Sequence, residues 1–284
     1  MRCAFIIVGH YRKLGDSRVV DSIVKFQNQY PSIVFDNHLY VSFDDNDGKL
    51  FHHNISKNDL TFDEVKEKMN FCSINTFKYV NNRREKQKYD LDSHHVLIND
   101  KKYDFTIEKQ NLTWSLRTDQ RGKICNQIFP QFFNIKKAYE FVKKYETEND
   151  VSYDIYIRSR TDLVFNHFHV DLTQLNTDSP CVFVPTFTPG DHGIADQIAF
   201  CNKFASDIYF NVESSFRDPS KLICREQCIV LRKYRENNKE IPNALYDNTH
   251  NILNDHLLSN NCKIIILNST ITATPSSADL YILR

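Results

Sequence analysis

The chain predicts an α/β fold in one domain, a mixed central sheet flanked by helices with a polar insertion, and three observations carry that expectation. The opening places an amphipathic segment between two short apolar runs. A long segment of helical periodicity leads straight into a strand that ends in charge. Strand-like and helix-like segments then keep alternating through the second half. At 284 residues, 41% of them hydrophobic, the chain can bury one large core that carries a substantial insertion.

Taken in order, residues 3–8 (CAFIIV) and 38–43 (HLYVSF) are rich in β-branched and aromatic types and bounded by Gly, Asp and Asn, as strands are. Residues 18–30 between them read as a helix stopped by Pro31. Thr61-Phe62-Asp63-Glu64 matches a capping box ahead of a short helix through Met69. Residues 75–123 are highly charged and read as an insertion. Their best ordered element is a hairpin of 95–99 and 103–107 around Asp100-Lys101-Lys102. In 133–146, Ile135, Tyr139 and Val142, with Ala138, Phe141 and Tyr145 one position aside, recur at helical spacing. A strand follows at 153–158, then another at 181–184. Helices are expected near 203–216, 225–237 and 251–259, and a strand at 262–267.

Composition narrows the function classes. Lys plus Arg and Asp plus Glu both number 36, so no global field favours nucleic acid or an anionic membrane, and the basic run at 82–88 reads as a solvated loop. The apolar opening is far shorter than the roughly 20 residues that span a bilayer, and no other candidate span appears. A soluble, cytoplasmic protein is the expectation, which the scattered cysteines of a reducing compartment fit. Cys224 and Cys228 lack a second pair to complete a zinc site. The N-x-S/T sequons at Asn54, Asn111 and Asn268 carry little weight in an Asn-rich chain. The six glycines form no phosphate-cradling loop, which argues against a nucleotidyltransferase.

Chemistry concentrates at residues 153–162 (YDIYIRSRTD). With a period of two, Ile155 and Ile157 face one way and Tyr156, Arg158 and Arg160 the other. Ligands of open α/β sheets collect at the carboxyl ends of strands, where Arg158, Arg160 and Asp162 lie. Asp162 is a hard oxygen ligand suited to Mg²⁺ or Mn²⁺, and the arginines suit a phosphate. Residue types alone support equally a structural cluster in which Arg158 or Arg160 pairs with Asp154 or Asp162.

This segment, taken with residues 193–200 (GIADQIAF), resembles the R-x-R-x-D and D-Q hallmarks of glycosyltransferases found in giant DNA viruses and algae. Those are similar to the WavE-type enzymes of bacterial surface polysaccharide synthesis. The opening Ile7-Val8-Gly9-His10-Tyr11-Arg12, the helix before the signature and Asp255-His256-Leu257-Leu258 also match, so the resemblance covers 3–43 and 126–267. It implies a GT-A-like, Rossmann-like fold, a nucleotide-sugar donor, a glycan or glycoprotein acceptor, and a divalent cation, Mn²⁺ or Mg²⁺. One departure matters: Arg160 stands where D-x-D enzymes carry their first acid, leaving Asp162 alone.

Within that resemblance Asp162, with His256 as a second ligand, is the candidate metal site, and a packing role is the alternative for His256. Gly9, His10 and Arg12, with Arg158 and Arg160, are the candidate donor and diphosphate contacts. Asp196 is the candidate catalytic base, with acceptor binding or capping of a following helix as open alternatives. Gln197, Asp191 and His192, on a turn-rich loop, are candidate acceptor contacts. Trp114 with Arg117 offers a sugar platform, or ordinary packing. The expected activity is sugar transfer from a nucleotide-diphosphate donor to a hydroxyl. A catalytically degenerate fold that only binds glycan or nucleotide is the non-enzymatic rival.

Overall fold

Strand β1 (Arg2–His10) runs apolar on both faces because both faces are covered. In the computed structural model, Cys3, Phe5 and Ile7 join one core, packed by Val19, Val20, Ile23 and Phe26 of helix α1 (Ser17–Gln27). Ala4, Ile6 and Val8 join the other, with Phe132, Ile135, Ala138, Tyr139 and Val142 of helix α3 (Ile128–Asn149). A helix layer therefore lies on each side of the sheet. The structure describes residues 1–11, 13–43, 60–80, 95–98, 101–104, 128–186, 194, 196–214, 249–272 and 279–283.

The remaining strands are β2 (Val34–Phe43), β3 (Phe71–Val80), β4 (His95–Ile98), β5 (Lys101–Asp104), β6 (Ile155–Ser159), β7 (Leu163–Phe165), β8 (Cys181–Thr186), β9 (Ile198–Asn202), β10 (Lys263–Thr272) and β11 (Leu280–Ile282). Among the described residues they form one 11-stranded sheet in the order β5-β4-β3-β2-β1-β6-β9-β8-β10-β11-β7. From β3 to β10 every neighbouring pair is parallel except those made by β9, which runs antiparallel between β6 and β8. The carboxyl ends of β1, β2, β6, β8 and β10 thus share one edge of the sheet. Helices α2 (Phe62–Met69), α4 (Lys203–Phe210) and α5 (Thr249–Ser259) complete the described set, and none of the described helices is long and apolar enough to cross a membrane.

The mixed α/β class, the β-α-β opening and the capping box agree with the sequence reading. Thr61 accepts from the Glu64 backbone while Glu64 reaches back to the Thr61 amide. Helix α3 begins five residues earlier than its periodicity suggests. Pro130 falls in its first turn, where a missing N–H forfeits no intrahelical bond. Residues 75–80, at the start of the stretch read as an insertion, belong to β3, which pairs parallel with β2. The hairpin is present but pairs Ile98 with Lys101, which moves its second strand toward the amino end. Residues 198–202 form the buried strand β9 and not the start of a helix. The helix expected at 225–237 lies outside the described residues.

Candidate active site at the carboxyl ends of β1 and β6

β1 and β6 lie side by side, with Ile7 opposite Ser159, so both chains leave the sheet at the same edge. After Ser159 the chain turns through Arg160-Thr161-Asp162 and enters β7. Two tethers hold that turn. The Thr161 hydroxyl donates to the carbonyl of His10 at 2.5 Å, and the amide of Leu283 donates to the carbonyl of Asp162 at 2.8 Å. Gly9 has φ 144°, a conformation that glycine adopts at little cost and side-chain-bearing residues rarely do, and Thr161 packs over it. The His10 ring is held in turn by Ser42 at the end of β2, 2.6 Å from Nδ1.

Arg158 sits between Ile6 of β1 and Ala199 of β9 in the sheet register and is 2% exposed. Its Nε and Nη1 have no hydrogen-bond partner among the described residues. The charges of Asp196 and Asp162 and the hydroxyl of Tyr209 on α4 lie close enough to favour the guanidinium. Burial outweighs them and, with the neighbouring charge of Arg160, draws its pKa below the ordinary arginine value. The Tyr209 hydroxyl is also buried without a partner among the described residues, and burial pushes its pKa up while Arg158 opposes that.

Arg160 makes a different arrangement. Its Nε and Nη2 each donate to one oxygen of Asp162 at 2.7 Å, a two-bond fork. The Asp162 carboxylate is largely buried, at 9% exposure, whereas Arg160 keeps 31% of its side chain open. Burial disfavours the Arg160 charge, but the Asp162 pair more than offsets that and its pKa is raised. The structural cluster that residue types allowed is therefore real for this one pair.

Asp196 and Gln197 are both buried at the start of β9. Asp196 accepts a hydrogen bond from Gln131 in the first turns of α3, and the Gln197 carbonyl oxygen has no partner among the described residues. The capping role for Asp196 is corrected. No helix follows it, because Ile-Ala-Phe-Cys is buried on both faces between β6 and β8, and the cap of α4 is Asn202, which accepts from Ala205 at 2.9 Å. Gln131 and Tyr209 were missed by sequence reasoning. The available signal was a polar atom on the buried face of each helix.

His256 is buried on α5, whose carboxyl end leads into the amino end of β10, the sheet edge opposite Asp162. Its Nε2 lies 2.7 Å from the carbonyl of Ile208, and burial lowers its pKa against that bond. The structure therefore brings Arg158, Arg160, Asp162, Asp196 and Gln197 together beside Gly9 and His10, and ties His256 to α4 at Ile208, the residue before Tyr209. Arg12, Asp191, His192, Trp114 and Arg117 lie outside the described residues.

The described donor set does not fit a divalent cation. Both Asp162 oxygens are engaged by Arg160, and the described residues contain no group of three or more His, Cys, Asp or Glu side chains placed to hold a metal. Mg²⁺ asks for a near-octahedral set of oxygens, and a carboxylate already paired with Arg160, beside an Asp196 held by Gln131, supplies little of it.

No family model matches the sequence, and no curated protein matches it. Among solved structures the chain is similar to a glycosyltransferase involved in the glycosylation of the major capsid of PBCV-1, at 9% identity and TM-score 0.34, covering 93% of this chain and 82% of that one. It is also similar to the galactosyltransferase LgtC in complex with donor and acceptor sugar analogues, at 6% identity and TM-score 0.35, covering 100% of this chain and 87% of that one. Likenesses this distant carry no argument about chemistry, which rests on the residues at the carboxyl ends of β1 and β6.

Proposed function

We propose that the chain transfers a sugar from a nucleoside-diphosphate donor to a hydroxyl of a glycan or glycosylated acceptor. Arg158 carries the reading: a guanidinium 2% exposed, with two nitrogens unpartnered among the described residues, at the sheet edge where α/β folds bind ligands. Burying an incompletely paired charge costs several kcal/mol. Such a group is expected where its charge is used on a ligand, and a diphosphate offers the acceptor oxygens that a guanidinium matches. The resemblance of the R-x-R-x-D and D-Q segments adds support, because these distant stretches of sequence meet at one place in the fold.

In this reading the acceptor hydroxyl attacks the anomeric carbon and its proton passes to Asp196. The bond from that carbon to the diphosphate oxygen breaks, and its electron pair leaves with the diphosphate. Gln131 holds one Asp196 oxygen, which fixes the carboxylate for that transfer. Arg158 and the open edge of Arg160 neutralise the charge that develops on the leaving group. Gly9 and His10 line the donor side and Gln197 the acceptor side. No step runs through a metal ion. A binding module without turnover is the second reading, favoured by Arg160 in the place of an acid.

A thermal-shift series with UDP-, GDP- and TDP-sugars tests the proposal, since a ligand that binds only the native state raises apparent stability. The expected result is selective stabilisation by one donor, followed by release of its nucleoside diphosphate when acceptor is supplied. Stabilisation by none of them would contradict it, and stabilisation without turnover would select the binding module.

A further inference from the structure

We infer that Arg160 is a built-in cation: it occupies the Asp162 carboxylate that a divalent ion would otherwise hold and presents its remaining donors to the nucleoside diphosphate, so that donor binding needs no metal. The inference rests on the transferase reading for the identity of the ligand, and on the Arg160–Asp162 geometry for everything else.

Position and geometry point the same way. Two guanidinium N–H groups are committed to Asp162, at 2.7 Å each. A guanidinium carries five N–H donors, so three remain on the edge away from the carboxylate. That side chain is 31% exposed while its partner is 9% exposed, so the pair is buried on the Asp162 side and open on the arginine side. The guanidinium is thereby placed to bridge an aspartate and a phosphate, the connection that a metal makes in a two-acid site.

The pair is also hard to displace. Arginine stays protonated at any working pH, so the cationic half of the pair does not lose its charge. The turn is fastened on both sides of Arg160-Thr161-Asp162, by Thr161 to His10 and by Leu283 to Asp162, which fixes the carboxylate against its arginine. A cation arriving here would have to replace two charge-assisted bonds to a largely buried carboxylate, and Asp196, the other described carboxylate whose charge reaches Arg160, is held by Gln131.

The test uses Mn²⁺ alone and nucleoside diphosphates alone, on the full chain. Mn²⁺ is titrated against wild type and Asp162→Asn and followed by the electron paramagnetic resonance signal of the free ion. Thermal shifts with UDP and GDP are then recorded in Mn²⁺ and in EDTA. We expect no Mn²⁺ uptake that Asp162→Asn removes, and a nucleotide-induced shift of equal size in both buffers. Arg160→Ala should bind the nucleotide about tenfold more weakly than wild type. Should Arg160→Ala not fold, Arg160→Lys keeps the charge without the fork and should show an intermediate loss. Mn²⁺ uptake by wild type that Asp162→Asn abolishes, or a nucleotide shift that requires Mn²⁺, would overturn the inference. If neither UDP nor GDP shifts the protein in either buffer, the transferase reading fails. The Mn²⁺ titration still decides whether Arg160 keeps a cation from Asp162: uptake lost with Asp162→Asn overturns that, and no such uptake supports it.

Discussion

Arg158 and Arg160 are separated by one residue yet live in opposite circumstances. Arg160 has a bidentate partner and an open edge, while Arg158 is enclosed with two nitrogens that have no hydrogen-bond partner among the described residues. Replacing an under-compensated buried charge with an apolar side chain of similar length removes a desolvation cost. Arg158→Met should therefore leave the unfolding midpoint unchanged or raise it. A fall of several degrees in a thermal melt would make Arg158 a structural residue instead. Asp196→Asn keeps the hydrogen-bonding shape and removes the basic oxygen, so turnover should drop by about 10²–10⁴-fold while donor affinity, read by calorimetry, stays. Gly9→Ala brings the new Cβ into ordinary contact with Thr161, 3.6 Å away, but must hold φ 144°, a cost of order 1–3 kcal/mol by denaturant titration. At this scale the signature was legible because charges at a strand end are conspicuous. Which arginine pairs with Asp162 was not legible, since that depends on the path of the turn after Ser159.

At the level of elements, β9 explains most of the difference between the sequence and the fold. Its five residues are buried on both faces between β6 and β8, so the run shows no alternation, and an apolar run that short is compatible with helix or strand. The antiparallel insertion of β9 is what delivers Asp196 and Gln197 to the end of β6 opposite its entry. Asn202 closes the element. Its side chain accepts from the amides of Ala205 at 2.9 Å and Cys181 at 3.1 Å and donates to the Ser179 carbonyl at 2.8 Å. Asn202→Ala removes a helix cap and a strand-to-loop clasp together and should cost about 2–4 kcal/mol in a urea titration, more than an ordinary cap. Helix α3 shows the reverse case. Its strong periodicity made it legible, but the extension that brings Gln131 to Asp196 lies before the periodic residues.

The whole molecule joins two cores across one sheet, and its two ends do different work. At the amino end of the strands, opposite the candidate site, Asp36 receives Arg2 at 2.7 Å and the Tyr153 hydroxyl at 2.9 Å. Tyr153 spends its proton there, so its oxygen accepts from Nε2 of His38, and the Ser73 hydroxyl, 2.7 Å from Nδ1, supplies the other side of a neutral ring. Burial lowers the His38 pKa from 6.5 to about 4. The unfolded chain then takes up a proton near pH 6.5 that the native chain refuses until about pH 4, so stability falls as pH drops through that window and is unaffected by this group above it. The loss is at most about 3 kcal/mol, and the buried His256 adds to it in the same direction. Urea midpoints at pH 7.5 and pH 5 should show this decline, and His38→Gln should flatten it. The α/β class and the β-α-β opening were legible because strands buried on both sides and amphipathic helices leave strong patterns. The eleven-strand order was not, since pairing is made by contacts distant in sequence.

Donor binding at Arg158 is the claim on which the rest depends, and isothermal titration of the stabilising nucleotide-sugar into wild type and Arg158→Met tests it most directly. The account predicts a single site in wild type and an affinity about 100-fold lower in the variant, roughly the loss of two charge-assisted hydrogen bonds. Equal affinity in the two proteins, or no binding of any nucleotide-sugar to wild type, would contradict it.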